Sequence, residues 1–324
     1  MNILVTGGAG YIGSHACLKL KEMGHHPVAY DNLVYGHEES ALDWELIKGD
    51  LADSERLKET FRKYDFHAVM HFAAYAYVGE SVKDPQKYYE NNVAAGLNLL
   101  REMLEARIKH FIFSSTCATY GEPETDRIDE NHRQQPINPY GESKLFFEKI
   151  LKRYGDAYGL KSVILRYFNA AGADPRGRIG ESHAPETHLI PLTLKAIKGE
   201  LEFLSLFGDD YETPDGTCIR DYIHVNDLAE AHILALDRFK KDEMTSVYNL
   251  GNGKGFSVKE VIDCAEKVTA MKVPVKICKR REGDPAKLVA SAQLAKDSLG
   301  WQPKYTNLEK IIETAWKWEQ NKKY

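Results

Sequence analysis

The amino-acid sequence predicts an α/β protein, a doubly wound parallel sheet with a smaller mixed α/β domain beside it. Three observations carry this prediction. Strand-like and helix-like stretches alternate through the first half, a glycine-rich turn follows the first strand, and 324 residues exceed what one compact domain usually holds.

Each element follows from its pattern. "NILVTG" is a β-branched run, and "YIGSHACLKLKEMG" has helical periodicity closed by Gly24. "HPVAYDN" and "WELIKGDLAD" read as the second and third strands, and "SERLKETFRKY" as a helix with Ser54 as its cap. "HAVMHFAA" is a fourth strand, followed by a long helix over 88–107. "HFIFSSTCATYG" is a fifth strand, and "KSVILRYFNAAG" a sixth after the helix containing "NPYGESKLFFEKIL". Near residue 172 the composition turns rich in Gly, Pro and polar residues, as at a domain crossover. "DYIHVNDLAEAHILALDRF" and "SVYNLGNG" then read as a helix and strand returning to the main sheet. The expected division is 1–172 plus about 221–250 for a Rossmann-type domain, and 173–220 plus 251–324 for a substrate domain.

Composition narrows the function classes. The net charge of −5 arises from interspersed signs, so no nucleic-acid or membrane surface is expected. Five scattered cysteines without a CxxC or Cys/His cluster argue against a metal site or a disulfide framework. No apolar run approaches a membrane span and none at the start resembles a signal peptide, so the expected location is cytoplasmic.

The glycines of "TGGAGYIG" (Gly7, Gly10 and Gly13) lie between a strand and a helix. Without side chains they let the backbone approach a pyrophosphate, which would sit at the helix N-terminus. Asp31 ends the second strand, where a carboxylate accepts hydrogen bonds from ribose hydroxyls and repels a 2′-phosphate; capping a turn is its structural alternative. No Arg lies between Asp31 and Asp50, which favours NAD over NADP.

Tyr140 and Lys144 are four residues apart and share a helix face. The same spacing occurs on solvated helices, but here a hydroxyl-bearing strand end (Ser114, Ser115, Thr116) precedes the pair. A tyrosine base at neutral pH needs roughly 4 kcal/mol of help. One cation some 6 Å away supplies about 2–3 kcal/mol at an effective dielectric near 20. Lys144 and the positive charge of an oxidised nicotinamide together would close the gap.

The glycine turn, the hydroxyl strand and YxxxK together resemble the extended short-chain dehydrogenase/reductase family. "VGESVKDPQKYYENNV", "SST.ATYG", "PYGESK", "LRYFNAAGA", "FGDDYETPDGTCIRDYIHV", "YNLGNGKGFSV" and "RREGDPAKLVA" narrow the resemblance to the UDP-glucose (UDP-galactose) 4-epimerase family, over nearly the whole chain. It implies an isomerase of galactose metabolism that transiently oxidises sugar C4 with bound NAD. The 4-keto sugar then turns over in the site and takes the hydride on its other face. Tyr140 would be the base, Thr116 the partner of the 4-oxygen, and Lys144 the holder of the nicotinamide ribose. For NAD the resemblance also implies Tyr11, Ile12, Asn32, Asp50, Leu51, Phe72, Ala73, Asn91, Ser114, Tyr167 and Phe168. For the UDP-hexose it implies Arg220 and Arg281 on the pyrophosphate, Asp284 on the ribose, and Ser205 and Phe207 on uracil. Asn169, His188 and Leu189 would face sugar or phosphate, and a homodimer would form through the helices at 88–107 and around Tyr140.

Two rival enzyme readings and one non-catalytic reading remain. A dehydratase usually has an acidic pair after the Thr, where this chain has Cys117 and Ala118. A pentose or uronate epimerase differs only in pocket residues, and a binding protein on the same fold would typically lose part of the Tyr/Lys/hydroxyl set. Two departures from the family pattern matter. Leu288 stands where a bulky Tyr excludes N-acetylated sugars in some members, so UDP-N-acetylhexosamines are expected to fit. Ala76 stands where many members carry a Lys to the cofactor, so NAD retention is expected to be looser. Protein purified without added NAD should then hold less than one nucleotide per chain; full occupancy would refute this expectation.

Overall fold

A computed structural model of the chain describes residues 1–240, 244–281 and 284–324; two positions of the "RREGDPAKLVA" stretch thus lie outside the described residues. The first half alternates as the hydrophobic pattern demands: β1 (Asn2–Thr6), α1 (Tyr11–Glu22), β2 (His26–Asp31), β3 (Glu45–Lys48), α2 (Ser54–Lys63) and β4 (Phe66–His71). Next come α3 (Val78–Lys83), α4 (Pro85–Tyr89), α5 (Gly96–Glu105), β5 (His110–Thr116), α6 (Pro139–Tyr158) and β6 (Lys161–Tyr167). The second half holds β7 (Asn169–Ala171), α7 (Leu189–Ile197), β8 (Leu204–Phe207), β9 (Ile219–Arg220), β10 (Tyr222–His224), α8 (Val225–Arg238) and β11 (Thr245–Leu250). It ends with β12 (Phe256–Ser257), α9 (Val258–Thr269), β13 (Val275–Cys278), β14 (Lys287–Leu288), α10 (Gln293–Leu299) and α11 (Leu308–Gln320).

Seven strands form one sheet in the order β11-β6-β5-β4-β1-β2-β3, every pairing parallel. Such a sheet must be covered on both faces. One face buries Cys17 and Leu20 of α1 with Leu228 and Ala235 of α8; the other buries Leu57 of α2, Leu99 of α5 and Leu151 of α6. The order reverses between β1 and β4, which opens a crevice at the carboxyl ends of the strands.

A third core collects Ile190 and Leu194 of α7, Val261 of α9 and Ile311 of α11 around short strand pairs. Residues 292–301 belong elsewhere: Ala295 and Trp301 pack with the α1/α8 core, and Trp301 Nε1 donates to the Asp227 carbonyl at 2.9 Å.

Three local expectations need correction. Asp53, not Ser54, caps α2: its carboxylate accepts from Arg56 N at 3.0 Å. The helix expected over 88–107 is interrupted by a π-helical stretch at Glu90–Ala95, between α4 and α5. Its cause is legible in the contacts. The Asn92 side chain turns inward, accepting from Tyr75 N at 2.9 Å and donating to Tyr75 O at 3.0 Å and Ser143 Oγ at 3.1 Å. Finally, the run expected as one sixth strand splits at Phe168, so that β7 leaves the main sheet and pairs with β10.

Helix α6 begins where Asn138 caps it, accepting from Gly141 N at 2.9 Å, with Pro139 in the first turn. A buried ion pair fixes its middle. Arg166 of β6 grips Glu148 through both oxygens, at 2.9 and 2.6 Å, with each side chain 5% exposed. The Ser115 hydroxyl and Gln134 also donate to this carboxylate. Glu148→Gln would leave the guanidinium buried and uncompensated, and should cost about 3–5 kcal/mol in urea unfolding. A loss below about 1 kcal/mol would contradict this account.

Candidate active site

A cleft of about 1180 Å³ runs along the carboxyl ends of the main strands. Single-ligand pockets usually measure about 300–1,000 Å³, so this one has room for a dinucleotide and a second nucleotide together.

At one end lies the glycine turn. A Cβ on Gly13 would stand 2.0 Å from the Gly7 carbonyl oxygen, so the turn can close this tightly only without side chains. Asp31, 8% exposed, ends β2 beside it and accepts from Ala9 N at 3.0 Å and Leu33 N at 2.8 Å. The carboxylate is thus fixed by the turn it faces, and each oxygen keeps a further lone pair for a ligand. The bare cradle and the oriented carboxylate fit a dinucleotide. Asn32 donates to the Asp50 carboxylate at 2.8 Å on the neighbouring wall, and Leu51, Phe72, Ala73 and Asn91 also line the cleft.

Ala76 lies exposed on that wall. Lys87 pairs with Glu80 at 2.8 Å and stands 4.2 Å from the centre of the Tyr75 ring.

The chemical groups meet in the middle. A Cβ on Gly141 would lie 2.4 Å from the Ala118 carbonyl oxygen; the missing side chain lets α6 press against the loop after β5. Tyr140 is thereby brought beside Thr116, whose hydroxyl favours the phenolate. Lys144, 3% exposed, donates to the Ser114 carbonyl at 2.8 Å and sits 4.8 Å from the Phe113 ring centre. Burial pushes the Tyr140 phenol up to about 12 against the opposing effect of Thr116. Burial also pulls the Lys144 ammonium down to about 7, slightly resisted by Glu148. Burial thus opposes charge on both members of the pair: near neutrality the phenol keeps its proton and the ammonium is close to its titration midpoint. Tyr167, whose hydroxyl meets that of Ser114, and Phe168 complete this wall.

At the far end, Arg220 of β9 and Asp284 form an ion pair, and the Arg281 guanidinium lies 4.0 Å from the Phe207 ring centre. Leu288 of β14 lines the cleft near Cys117 and Phe168, and Asn169 lines it beside them. Three further residues expected here adjoin the cleft-lining set without belonging to it. Leu189 packs toward the third core, Ser205 pairs within the β8–β13 ladder, and Phe207 stands behind Arg281.

His188 does face the cleft. Burial opposes its charge, but the carboxylates of Glu181 (2.8 Å) and Glu186 (3.0 Å) outweigh burial and lift it to about 10. Sequence reasoning missed Glu148, Asn92, Glu181 and Glu186. The consecutive asparagines inside an apparent helix were the available signal for Asn92; Glu148 continues the α6 face at four residues beyond Lys144.

The fold and this set of groups define a nucleotide-dependent enzyme class, and the chain belongs to the NAD dependent epimerase/dehydratase family, whose profile matches residues 3–251. Within that class it is similar to the UDP-glucose 4-epimerase of Halalkalibacterium halodurans, at 53% identity over 99% of this chain and 96% of that protein. It is also similar to the crystal structure of UDP-glucose 4-epimerase from Brucella ovis in complex with NAD. Identity there is 51%, the TM-score 0.95 and coverage 97% of both chains. The UDP-Glc/GlcNAc 4-epimerase of Campylobacter jejuni matches at 42% identity, TM-score 0.86 and 99% of each chain.

A depressed lysine makes ligand-free stability depend on pH. Between about 7 in the folded state and 10.5 in the unfolded state, the unfolded chain binds the extra proton, so stability rises with pH across this window. Denaturation of ligand-free protein should therefore show wild type gaining on Lys144→Met as pH climbs. Parallel curves would contradict a buried, depressed Lys144.

Proposed function

We propose that this protein interconverts UDP-glucose and UDP-galactose by transient oxidation at sugar C4, with NAD as its resident cofactor. The observation that carries this reading is one cleft joining the glycine turn, the Tyr140–Thr116–Lys144 set and the Arg220–Arg281 end. NAD held between the glycine turn and Lys144 would supply the hydride acceptor and, on return, the donor. Asp31 takes the adenosine ribose, and Asp50 and Asn32 approach the adenine side.

Tyr140 accepts the proton of the 4-hydroxyl while Thr116 holds the 4-oxygen. Lowering the phenol from about 12 to neutrality requires roughly 7 kcal/mol, far more than one lysine supplies. The base therefore becomes competent only with both Lys144 protonated and an oxidised cofactor alongside, which ties proton removal to readiness for hydride.

Arg220 and Arg281 clamp the pyrophosphate with bidentate guanidinium forks. Asp284 exchanges its pairing with Arg220 for the uridine ribose. Ser205 and Phe207 serve uracil, while Asn169, His188 and Leu189 bound the sugar and phosphate. Residues 1–172 with about 221–250 hold the cofactor, and 173–220 with 251–324 the UDP-sugar, apart from 292–301, which pack on the α1/α8 core. The grip on UDP is charged and that on the hexose is sparse, as turnover of the ketose within the site requires.

A second substrate pair follows from Leu288, which leaves room beside the sugar for an N-acetyl group; the similarity to a UDP-Glc/GlcNAc 4-epimerase supports it. A homodimer through α5 and α6 is also proposed. Phe146 is 41% exposed on α6, and its ring stacks on Tyr89. Five free cysteines suit a reducing cytoplasm, and among the described residues no helix is long and apolar enough to cross a membrane.

The decisive experiment incubates the protein separately with UDP-Gal, UDP-Glc, UDP-GalNAc and UDP-GlcNAc and identifies the products. Both pairs should interconvert, and Leu288→Tyr should lose the N-acetylated pair while keeping the other. Tyr140→Phe should lose about 10²–10⁴-fold in turnover yet retain NAD and UDP-sugar binding. Failure of wild type on UDP-glucose and UDP-galactose would overturn the assignment.

A further inference from the structure

The loop before α7 contains an unusual cluster: Glu181, His183, Glu186 and His188, whose donor atoms all lie within 4.8 Å of one another. His183 Nδ1 stands 3.2 Å from Glu181 Oε1 and 3.6 Å from Glu186 Oε2, while His188 Nδ1 stands 2.8 Å from Glu181 Oε1. Glu181 is 5% exposed and the Glu186 side chain 2%, so these carboxylates are withdrawn from water.

Hydrogen bonding does not satisfy the cluster. Each imidazole Nδ1 carries at most one hydrogen, yet each faces two carboxylates. Glu181 Oε1, His183 Nδ1 and Glu186 Oε2 are buried without an aligned partner. Glu186 Oε1, by contrast, is fully partnered, accepting from Thr187 N at 2.7 Å and His188 N at 2.8 Å and lying 3.0 Å from His188 Nδ1 in a hydrogen bond. That fixes the carboxylate and leaves Oε2 directed at His183.

Two nitrogens and two carboxylate oxygens are a donor set for a divalent transition metal. Metal–ligand bonds of 2.0–2.2 Å in a tetrahedron require donors about 3.3–3.6 Å apart; His183 approaches its two carboxylates at 3.2 and 3.6 Å, and His188 stands closer, 2.8 Å from Glu181. We propose that Glu181, His183, Glu186 and His188 form a tetrahedral site for a divalent cation of the zinc class. No cysteine spacing marks this site, because its ligands follow the pattern E-x-H-x-x-E-x-H on a loop.

The site lies on the wall of the cleft. Glu181, His183 and His188 line it, and the His183 ring lies edge-on to Tyr11, which follows the glycine turn. A cation bound at Nδ1 of His188 would fix that ring with its other nitrogen free to donate into the cleft. It would also pin the loop that leads into α7 against the cofactor end, so its role is positioning.

The test uses the full chain, freed of metal with a chelator and titrated with Zn²⁺ or Co²⁺ alone. Equilibrium dialysis should show uptake of one Zn²⁺ per chain, and the Co²⁺ form should give the intense visible bands of tetrahedral coordination. Glu181→Gln and His183→Gln, each checked for native far-UV circular dichroism in chelator, should weaken uptake at least about tenfold. Absence of stoichiometric uptake by wild type would overturn the proposal. So would the weak spectrum of octahedral cobalt, and so would uptake unchanged in folded variants, which would place the metal on surface histidines.

Discussion

The bidentate contact between Arg166 and Glu148 is the interaction on which the site depends. A guanidinium and a carboxylate, each buried, tie the middle of α6 to β6. Their withdrawal from water is tolerable only because the pairing, with donors from Ser115 and Gln134, satisfies both. Arg166 also donates to the Tyr120 hydroxyl at 2.9 Å, which in turn donates to Asn249 of β11 at 2.6 Å. One network thus joins the helix bearing the reactive pair to two strands and to the loop after β5. With the middle of α6 held, Lys144 and Tyr140 can stand one and two turns upstream at fixed depth.

That depth sets the chemistry. Burial raises the phenol and depresses the ammonium, so near neutrality the phenol keeps its proton while the lysine stands close to its titration midpoint. Bringing a cationic cofactor to the same place changes the balance. A base strong only beside an oxidised cofactor is suited to an oxidation that must be reversed before product leaves. A pair ionised permanently at the surface would lack this dependence, because water would screen the charges from one another.

Much of this was legible in the chain because periodicity and glycine spacing are local properties. The alternation of strands and helices placed the parallel sheet, and the separation of Gly7, Gly10 and Gly13 placed the cofactor turn. The one-face relation of Tyr140 and Lys144 follows from helix geometry alone. The errors came where a tertiary partner overrides a local preference. Asn92 turns inward to hold Tyr75 and Ser143, and the helix takes a π form to let it. The strand beginning at Lys161 breaks at Phe168 because Asn169–Ala171 find a separate partner in β10.

By itself, then, the sequence determined the parallel α/β architecture, the glycine turn between β1 and α1, the shared helix face of Tyr140 and Lys144 and the resemblance that narrows their proposed use. Each depends on residues close together in the chain, so a one-dimensional pattern suffices. Only the tertiary structure decided that Lys144 is buried against the Ser114 carbonyl and that Glu148 anchors its helix through Arg166. It likewise decided that His183 and His188 share two carboxylates, and that Arg220 is paired with Asp284. Burial and pairing between distant residues are properties of the packed chain, and they set the charge states on which the chemistry turns.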